Sequence, residues 1–560
     1  MDASAKNSMI PFYAGILSLK PEEKAVLLRR LGAKALRASD EEKFAFARAA
    51  IACGAVGMAA EAVQGIENVP ELVTAFLEDS VALPDSGENG VLKISDCSSE
   101  MDPDPARIMV DGICSCCSAP VKLDILSPRI GRSGFLCPHC LAALEIDVDE
   151  IRPYLEEAFS SHMKELENRL RRRQLSSRDC VHLVQLADAV SPWLLVRFGV
   201  MRSERIGHFA LNTEKYLSER AAGITNPDTF DFLGDNHPVS NRFMSRMWQR
   251  VVRYSPVASV IAPMLAPDSP YNTEKDLRGN NGRDEHMLFH RAAPELSFTE
   301  REKEMALNEL ERMGIGQDAQ YICLNVRDGA YLKSHLKHRD WSYHDFRDSD
   351  IETYEDVALA LAEKGMFVLR MGAKTSSRFE VDHPRIIDYS NLYRSEFMDV
   401  FLCATCKFMI STGTGIDGIA FIFRRPVLYV NYAQAGAVVD WEPRSVTMFK
   451  RFFWKDSGRE LSLKELFSCG VSRVGHKEEL DVLGVALKDN SPYELKMAGL
   501  EMNDLVEMDF KVPLTDVQRE ANTIVRPNGN MLGRLSGQYL QTVMLSPGSD
   551  NLKSSGKVDL

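Results

Sequence analysis

Arg327 and Arg370 each follow a short apolar run, Tyr321–Val326 and Phe367–Leu369. A third run, Phe408–Ser411, passes into Ser411-Thr412-Gly413-Thr414-Gly415. These residue types suit the binding of a diphosphate. A guanidinium presents a planar fork of donors to phosphate oxygens. A Gly/Ser/Thr loop entering a helix offers backbone N–H groups and the positive end of the helix dipole. Ile416–Phe423 reads as that helix and Val427–Asn431 as the next buried strand. An ordinary tight βα turn has the same composition as this loop, so the two strand-end arginines are what favour a nucleotide-diphosphate site.

The elements that must hold these groups alternate strand, polar loop and helix, the rhythm of a parallel sheet with right-handed crossovers. Such sheets bind ligands at the carboxyl ends of their strands. A first α/β region spans about 190–298 and a second about 300–485. In the first, Trp193–Val200 and Phe230–Leu233 read as strands and His208–Arg220 and Asn241–Tyr254 as helices. Their loops carry Arg202, Arg205, Gly207, His208, Asp235, Asn236 and His237. In the second, Asp350–Lys364 and Ser395–Cys406 read as helices. Lys333–Arg347 is a polar insertion with three His, two Arg and two Lys, placed to act as a lid or an acceptor clamp.

Cysteine supplies a different chemistry. Cys114 and Cys117, then Cys137 and Cys140, form two CxxC knuckles with the spacing of a four-thiolate zinc ribbon. A closed set of four thiolates leaves no position for water, so the metal would be structural. Disulfide pairing is the alternative, disfavoured in a reducing compartment. Cys403 and Cys406 also form a CxxC, but within an apolar helix, and read as core packing.

The chain has 560 residues, 45% of them apolar, enough for roughly three to four domains of ~150 residues. Its net charge of -13 argues against a nucleic-acid partner. No signal peptide opens the sequence and no uninterrupted apolar stretch is long enough for a membrane span, which leads to a cytoplasmic expectation. The expected division is a helical region with a polar linker over 1–112, a zinc ribbon over 113–150, an α/β domain with a helical lead-in over 151–300, a second α/β domain over 301–485, and helices with a polar tail over 486–560. The basic run Arg169, Arg171, Arg172, Arg173 reads as a solvated helix face paired with Glu165 and Glu167.

Five ordered stretches carry a resemblance: RIGHFALNTE at 205–214, VRDGAYL at 326–332, HDFRDSDIETY at 344–354, VLRMG at 368–372 and SEFMDVFLCATCKFMIST at 395–412. Together they resemble a bacterial glycosyltransferase family of GT-B type, associated with surface-polysaccharide and modified-glycan loci. The TGTG-helix-RRPVLYVN ending is more distantly similar to heptosyltransferases and GDP-fucose fucosyltransferases. The resemblance covers roughly 190–450. It implies two Rossmann-like domains facing a cleft, the first holding the acceptor and the second a nucleotide-sugar donor. The donor set would be Arg327, Arg370, Gly372, Ser411, Thr412, Gly413, Thr414 and Gly415, with Glu396 and Asp399 either meeting a ribose or base or capping a helix. His208 stands where heptosyltransferases place an acidic base, and Asp235 is the second candidate. No catalytic metal is implied. The acceptor would be a glycan, a lipid-linked sugar or a protein, with peripheral membrane contact left open. A nucleotide-sugar epimerase and a non-catalytic zinc-ribbon scaffold are the alternatives.

Overall fold

The computed structural model describes residues 43, 90–100, 107–115, 118–125, 135–136, 143–329, 342–527, 529 and 531–544. The chain divides into two compact units. One comprises Met1–Gly199, Asp228–Phe232 and Ser255–Thr273, and the other Val200–Pro227, Leu233–Tyr254 and Glu274–Leu560.

In the first unit, Gly90–Glu100 pairs antiparallel with Arg107–Cys114, which pairs in turn with Pro120–Asp124. The stretch over 84–107 was expected to be a polar linker, and Gly90–Glu100 within it is a strand instead. Its partner accounts for this: Arg107–Cys114 alternates with a period of two, Ile108, Val110 and Gly112 turning inward while Met109 and Asp111 are half-buried, and its backbone pairs with the polar strand along its length. Two helices follow, Val148–Arg171 and Ser177–Val190, the second opened by a reciprocal cap between Ser176 and Asp179. Arg169 pairs with Glu165 and Asp179, and Arg171 with Glu167, as the charge pattern implies. Cys114 is buried. Cys117, Cys137 and Cys140 lie outside the described residues, as does the helical patterning read over 44–89.

The second unit is built on one parallel sheet. Its strands are β1 (Tyr321–Asn325), β2 (Phe367–Arg370), β3 (Ile386–Ile387), β4 (Met409–Ser411), β5 (Val427–Tyr432), β6 (Ser445–Phe449) and β7 (Arg534–Leu535). They lie in the order β3-β2-β1-β4-β5-β6-β7, every pairing parallel. This is the order of a doubly wound dinucleotide-type sheet. All of β1 and β4 is buried, as strands covered on both faces must be.

Alternate residues of these strands enter two separate cores. Ile322, Leu324, Val368, Ile410 and Leu428 pack with the helices Glu355–Glu363 and Pro492–Glu507. Tyr321, Cys323, Leu369, Met409 and Val427 pack with Glu396–Thr405 and Asp417–Ile422. The crossover from β1 to β2 therefore covers one face and that from β4 to β5 the other, which opens a crevice between the ends of β1 and β4. The C-terminal region was expected to stand apart as helices and a tail. Its helix Pro492–Glu507 instead completes one face, and β7 extends the sheet.

The helices labelled α1 (Ile206–Ala221) and α2 (Arg242–Trp248) were expected in a separate Rossmann-like domain. Both share a core with the seven-stranded sheet: Phe209, Ala210 and Tyr216 of α1 and Phe243, Met244, Met247 and Trp248 of α2 join Met409, Ile419 and Val427. Glycine makes this approach feasible. A Cβ on Gly207 would lie 2.8 Å from the Gly415 Cα, and one on Gly418 3.2 Å from the Gly207 carbonyl oxygen. The first turn of α1 thus meets the loop after β4 backbone to backbone.

Gly207→Ala is expected to lose ~1–3 kcal/mol of stability through overpacking. Gly475→Ala, where a Cβ meets nothing within 4 Å, should stay within about 0.5 kcal/mol of wild type. Urea unfolding of both variants checks the contrast.

Candidate functional site

The loop after β4 is held by its own side chains. Asp417, buried at the start of the helix Asp417–Ile422, accepts hydrogen bonds from Ser411 Oγ (3.0 Å) and from the Thr414 amide (2.8 Å). The Gly413 amide donates to Ser411 Oγ at 3.1 Å, and the Thr412 amide to the Asn325 carbonyl at 3.2 Å. Gly413 adopts φ +82°, and a Cβ there would stand 2.5 Å from the Tyr432 ring. The loop was expected to offer its amides to phosphate. Those of Thr412, Gly413 and Thr414 are occupied within the protein, which shifts the weight of anion binding toward side chains. Asp417, which the sequence reading passed over, is what fixes the loop. Its legible signal was an acid in the first turn of the helix, a place usually taken by a cap.

Two side chains supply positive charge. Arg327, at the end of β1, donates its main-chain N–H to Thr412 Oγ1 (2.9 Å) and its Nε to Asp348 Oδ1 (2.9 Å). Arg347 donates to the Gly413 carbonyl at 2.6 Å. Burial, and then the neighbouring Arg327 charge, lowers the Arg347 pKa. A half-buried guanidinium whose charge is disfavoured by burial and by a second guanidinium is a configuration that an anion relieves. Arg347 closed the expected insertion, whereas His335, His338 and Arg339 lie outside the described residues.

These groups border a cavity of about 410 Å³ at the carboxyl edge of the sheet, a size suited to a small organic ligand. Asn325–Asp328 line it from β1, Gly372–Thr375 from β2, Thr414–Asp417 from the loop and Glu204–His208 from the start of α1. Arg394 and Asp399 complete the wall. Five cationic side chains (Arg205, Arg327, Arg347, Lys374, Arg394) face four acidic ones (Glu204, Asp328, Asp399, Asp417). A chain of net charge -13 thus holds a locally cationic excess here.

His208 is in the wall, and its tautomer follows from its neighbour. Asn212 Nδ2 donates to the Leu277 carbonyl (2.7 Å), which turns Asn212 Oδ1 toward His208 Nδ1 at 3.1 Å. The imidazole therefore carries its proton on Nδ1 and a lone pair on Nε2. Burial first, and the Arg202 charge second, hold its pKa below 6.5, so it is neutral at pH 7.

Other expected residues fall elsewhere. Asp235 accepts from Ser245 Oγ (2.7 Å) and Tyr254 OH (3.1 Å) and is not among the cavity-lining residues. Arg370 is 1% exposed, also outside the lining set, and donates to the Met371 carbonyl at 2.9 Å, with Asp328 3.7 Å away. Gly372 does line the cavity. Of the loop, Thr414 and Gly415 reach it and Ser411, Thr412 and Gly413 stand behind. Glu396 accepts the Arg242 amide (2.8 Å) at the start of α2, a capping role. Asp399 lines the cavity, held by Arg394 (2.8 Å) and Tyr389 OH (3.0 Å), with burial pushing its pKa up to about 6. Cys403 and Cys406 are fully buried in the core beside Cys323, as packing residues. Among the described residues no group of three or more His, Cys, Asp or Glu side chains is placed to hold a metal ion. No described helix is long and apolar enough to cross a membrane.

Burial also raises Asp417 to about 6, above its ordinary 3.8. A folded-state carboxyl pKa above the unfolded one means the native state binds the extra proton between about pH 4 and 6. Stability therefore falls as pH rises through that window. Asp417→Asn, which keeps an acceptor for the Thr414 amide, should flatten that fall. Urea unfolding of wild type and variant at pH 4, 5, 6 and 7 measures the difference.

No protein-family model matches the chain, and no curated protein sequence matches it significantly. Among solved structures, it is similar to the ADP-heptose LPS heptosyltransferase II of E. coli, with 11% identity over 56% of this chain and 100% of that one, at a TM-score of 0.31. It is also similar to the glycosyl transferase family 9 protein of Veillonella parvula, with 10% identity over 42% of this chain and 80% of that one, at a TM-score of 0.26. Scores this low carry neither a fold nor a residue role across, and the reading that follows rests on the chain's own geometry.

Proposed function

We propose that the second unit is a glycosyltransferase of GT-B type that moves a sugar from a nucleoside-diphosphate donor to an acceptor hydroxyl. The observation that carries this reading is that Arg327 and Arg347 both line one cavity at the β1/β4 crevice of a doubly wound sheet. A diphosphate there neutralises both. His208 shares the cavity as a neutral imidazole, the form a general base needs.

In the proposed reaction the acceptor oxygen bonds to the anomeric carbon while the bond from that carbon to the phosphate oxygen breaks. The nucleoside diphosphate leaves with the bonding electrons, its charge balanced by Arg327 and Arg347, and Lys374 and Arg394 add to the cationic wall. The acceptor proton passes to His208 Nε2. Attack opposite the leaving group inverts the anomeric configuration. Because guanidiniums neutralise the leaving group, the step is proposed as metal-independent, and turnover should persist in EDTA. The acceptor class is a glycan or glycoconjugate hydroxyl.

A thermal-shift panel of UDP, GDP, ADP, CMP and dTDP, with and without attached sugars, tests the donor site. One nucleotide should raise the melting temperature of wild type, corresponding to about 2.7 kcal/mol at a hundredfold excess over Kd. Arg327→Ala should remove the shift. If none shifts at millimolar concentration, the donor reading fails. Turnover of a nucleotide sugar without any acceptor would make the enzyme an epimerase instead.

With a donor and acceptor in hand, His208→Ala should lower kcat by about 10²–10⁴. For wild type, kcat/KM should fall with acidity below a pKa under 6.5, where the imidazole becomes charged. An unchanged pH profile in His208→Ala would remove His208 as the base.

A further inference from the structure

Arg347 ends the short 3-10 helix Ser342–Arg347 and Asp348 follows it, and from there they meet Gly413 and Arg327; contacts from elsewhere in the chain fix where that helix end lies. Lys450 directly follows β6, and Asp489 directly follows the strand Val485–Lys488. The antiparallel pairing of Arg451–Trp454 with Val485–Lys488 sets Arg451 opposite Lys488 and so brings the two residues together. Lys450 Nζ lies 2.7 Å from Asp489 Oδ1 and donates to the Asp348 carbonyl at 2.7 Å. Asp489 Oδ2 accepts from Ser349 Oγ at 2.5 Å, and Asn431 Nδ2 donates to the same hydroxyl at 3.0 Å. The Ser349 amide donates to the Arg327 carbonyl at 3.1 Å.

One ion pair thus grips two consecutive residues, Asp348 through its carbonyl and Ser349 through its hydroxyl. Lys450 is 5% exposed, and neither it nor Asp489 lines the cavity. A buried ammonium needs partners to offset its desolvation, and it finds them on the segment that carries the phosphate-facing arginine.

We propose that Lys450 and Asp489 are positioning residues for phosphate binding. Together they hold Arg347–Ser349 so that Arg347 reaches Gly413 and Asp348 orients the Arg327 fork. This rests on the nucleotide-diphosphate reading of the cavity and adds two residues, both distant in sequence from it, on which the geometry of that site depends.

Inorganic pyrophosphate is the probe, titrated by calorimetry into the full chain, with melting temperatures recorded beside it. Lys450→Met should weaken pyrophosphate about tenfold, the equivalent of one charge-assisted hydrogen bond. Asp489→Asn should weaken it in the same direction. A double variant with Arg347→Ala should lose less than the product of the two single losses, because part of each change acts on the Arg347 contact. A purely structural role would lower the melting temperature, leave pyrophosphate affinity unchanged and give multiplicative effects, which overturns the proposal. Should Lys450→Met fail to fold, Asp489→Asn decides by itself. Wild type failing to bind pyrophosphate removes the phosphate site together with this proposal. Wild type binding while both variants bind as tightly overturns this proposal alone.

Discussion

A Cβ on Gly207 would sit 2.8 Å from the Gly415 Cα, and the layout of the cavity depends on that atom being absent. With hydrogen in its place, the first turn of α1 rests on the loop after β4, and His208 faces the same space as Thr414. A side chain at either glycine would push the two helix starts apart by the width of a methyl group. The core beneath, shared by Phe209, Ile419 and Met409, would open with them. Sheet and helix are thereby joined as one body around the crevice, which sets His208 of one element and Thr414 of the other in the wall of one cavity.

Charge is organised around a second constraint. Arg327 and Arg347 are both half-buried in the wall of the cavity, and desolvation together with the Arg327 charge disfavours the charge on Arg347. Asp348 supplies part of the compensation by accepting from Arg327 Nε, and carbonyls supply another part. The remainder is a deficit of negative charge at the end of β1, facing a space large enough for a nucleotide fragment. On the other side of the loop, Asp417 does the reverse. It takes up amide and hydroxyl donors that would otherwise compete for ligand, at the cost of a carboxyl whose charge burial disfavours.

Much of this was legible in the residues. Apolar runs of strand length ending in polar loops located β1, β2, β4 and β5, because a sheet covered on both faces admits little else. The crevice loop and Arg327 were legible for the same reason: a strand end in a parallel sheet is a defined place. Arg370 occupies an equivalent place in sequence but turns into the protein, where Nη1 donates to the Met371 carbonyl and Asp328 lies 3.7 Å away. Asp235 likewise sits at a strand end and is absorbed by Ser245 and Tyr254. Strand-end position sets which residues can reach a cavity, whereas hydrogen-bond partners from distant segments set which do. The polar stretch over 84–107 misled for a different reason, since its strand is set by pairing with Arg107–Cys114 rather than by an apolar pattern of its own.

By itself the sequence determined a parallel α/β sheet, a small-residue loop at a strand end and an arginine beside it, because periodicity and strand ends are local properties of the chain. Only the tertiary structure decided that α1 belongs to the same body as that sheet, that the Thr412, Gly413 and Thr414 amides are occupied, that Arg347 and Asp417 stand in the cavity wall, and that Lys450 and Asp489 contact Asp348 and Ser349. Those outcomes rest on contacts between residues tens to hundreds of positions apart, and on glycines whose meaning is a distance of closest approach. No local pattern encodes such a distance, because it is set by how the remaining elements pack.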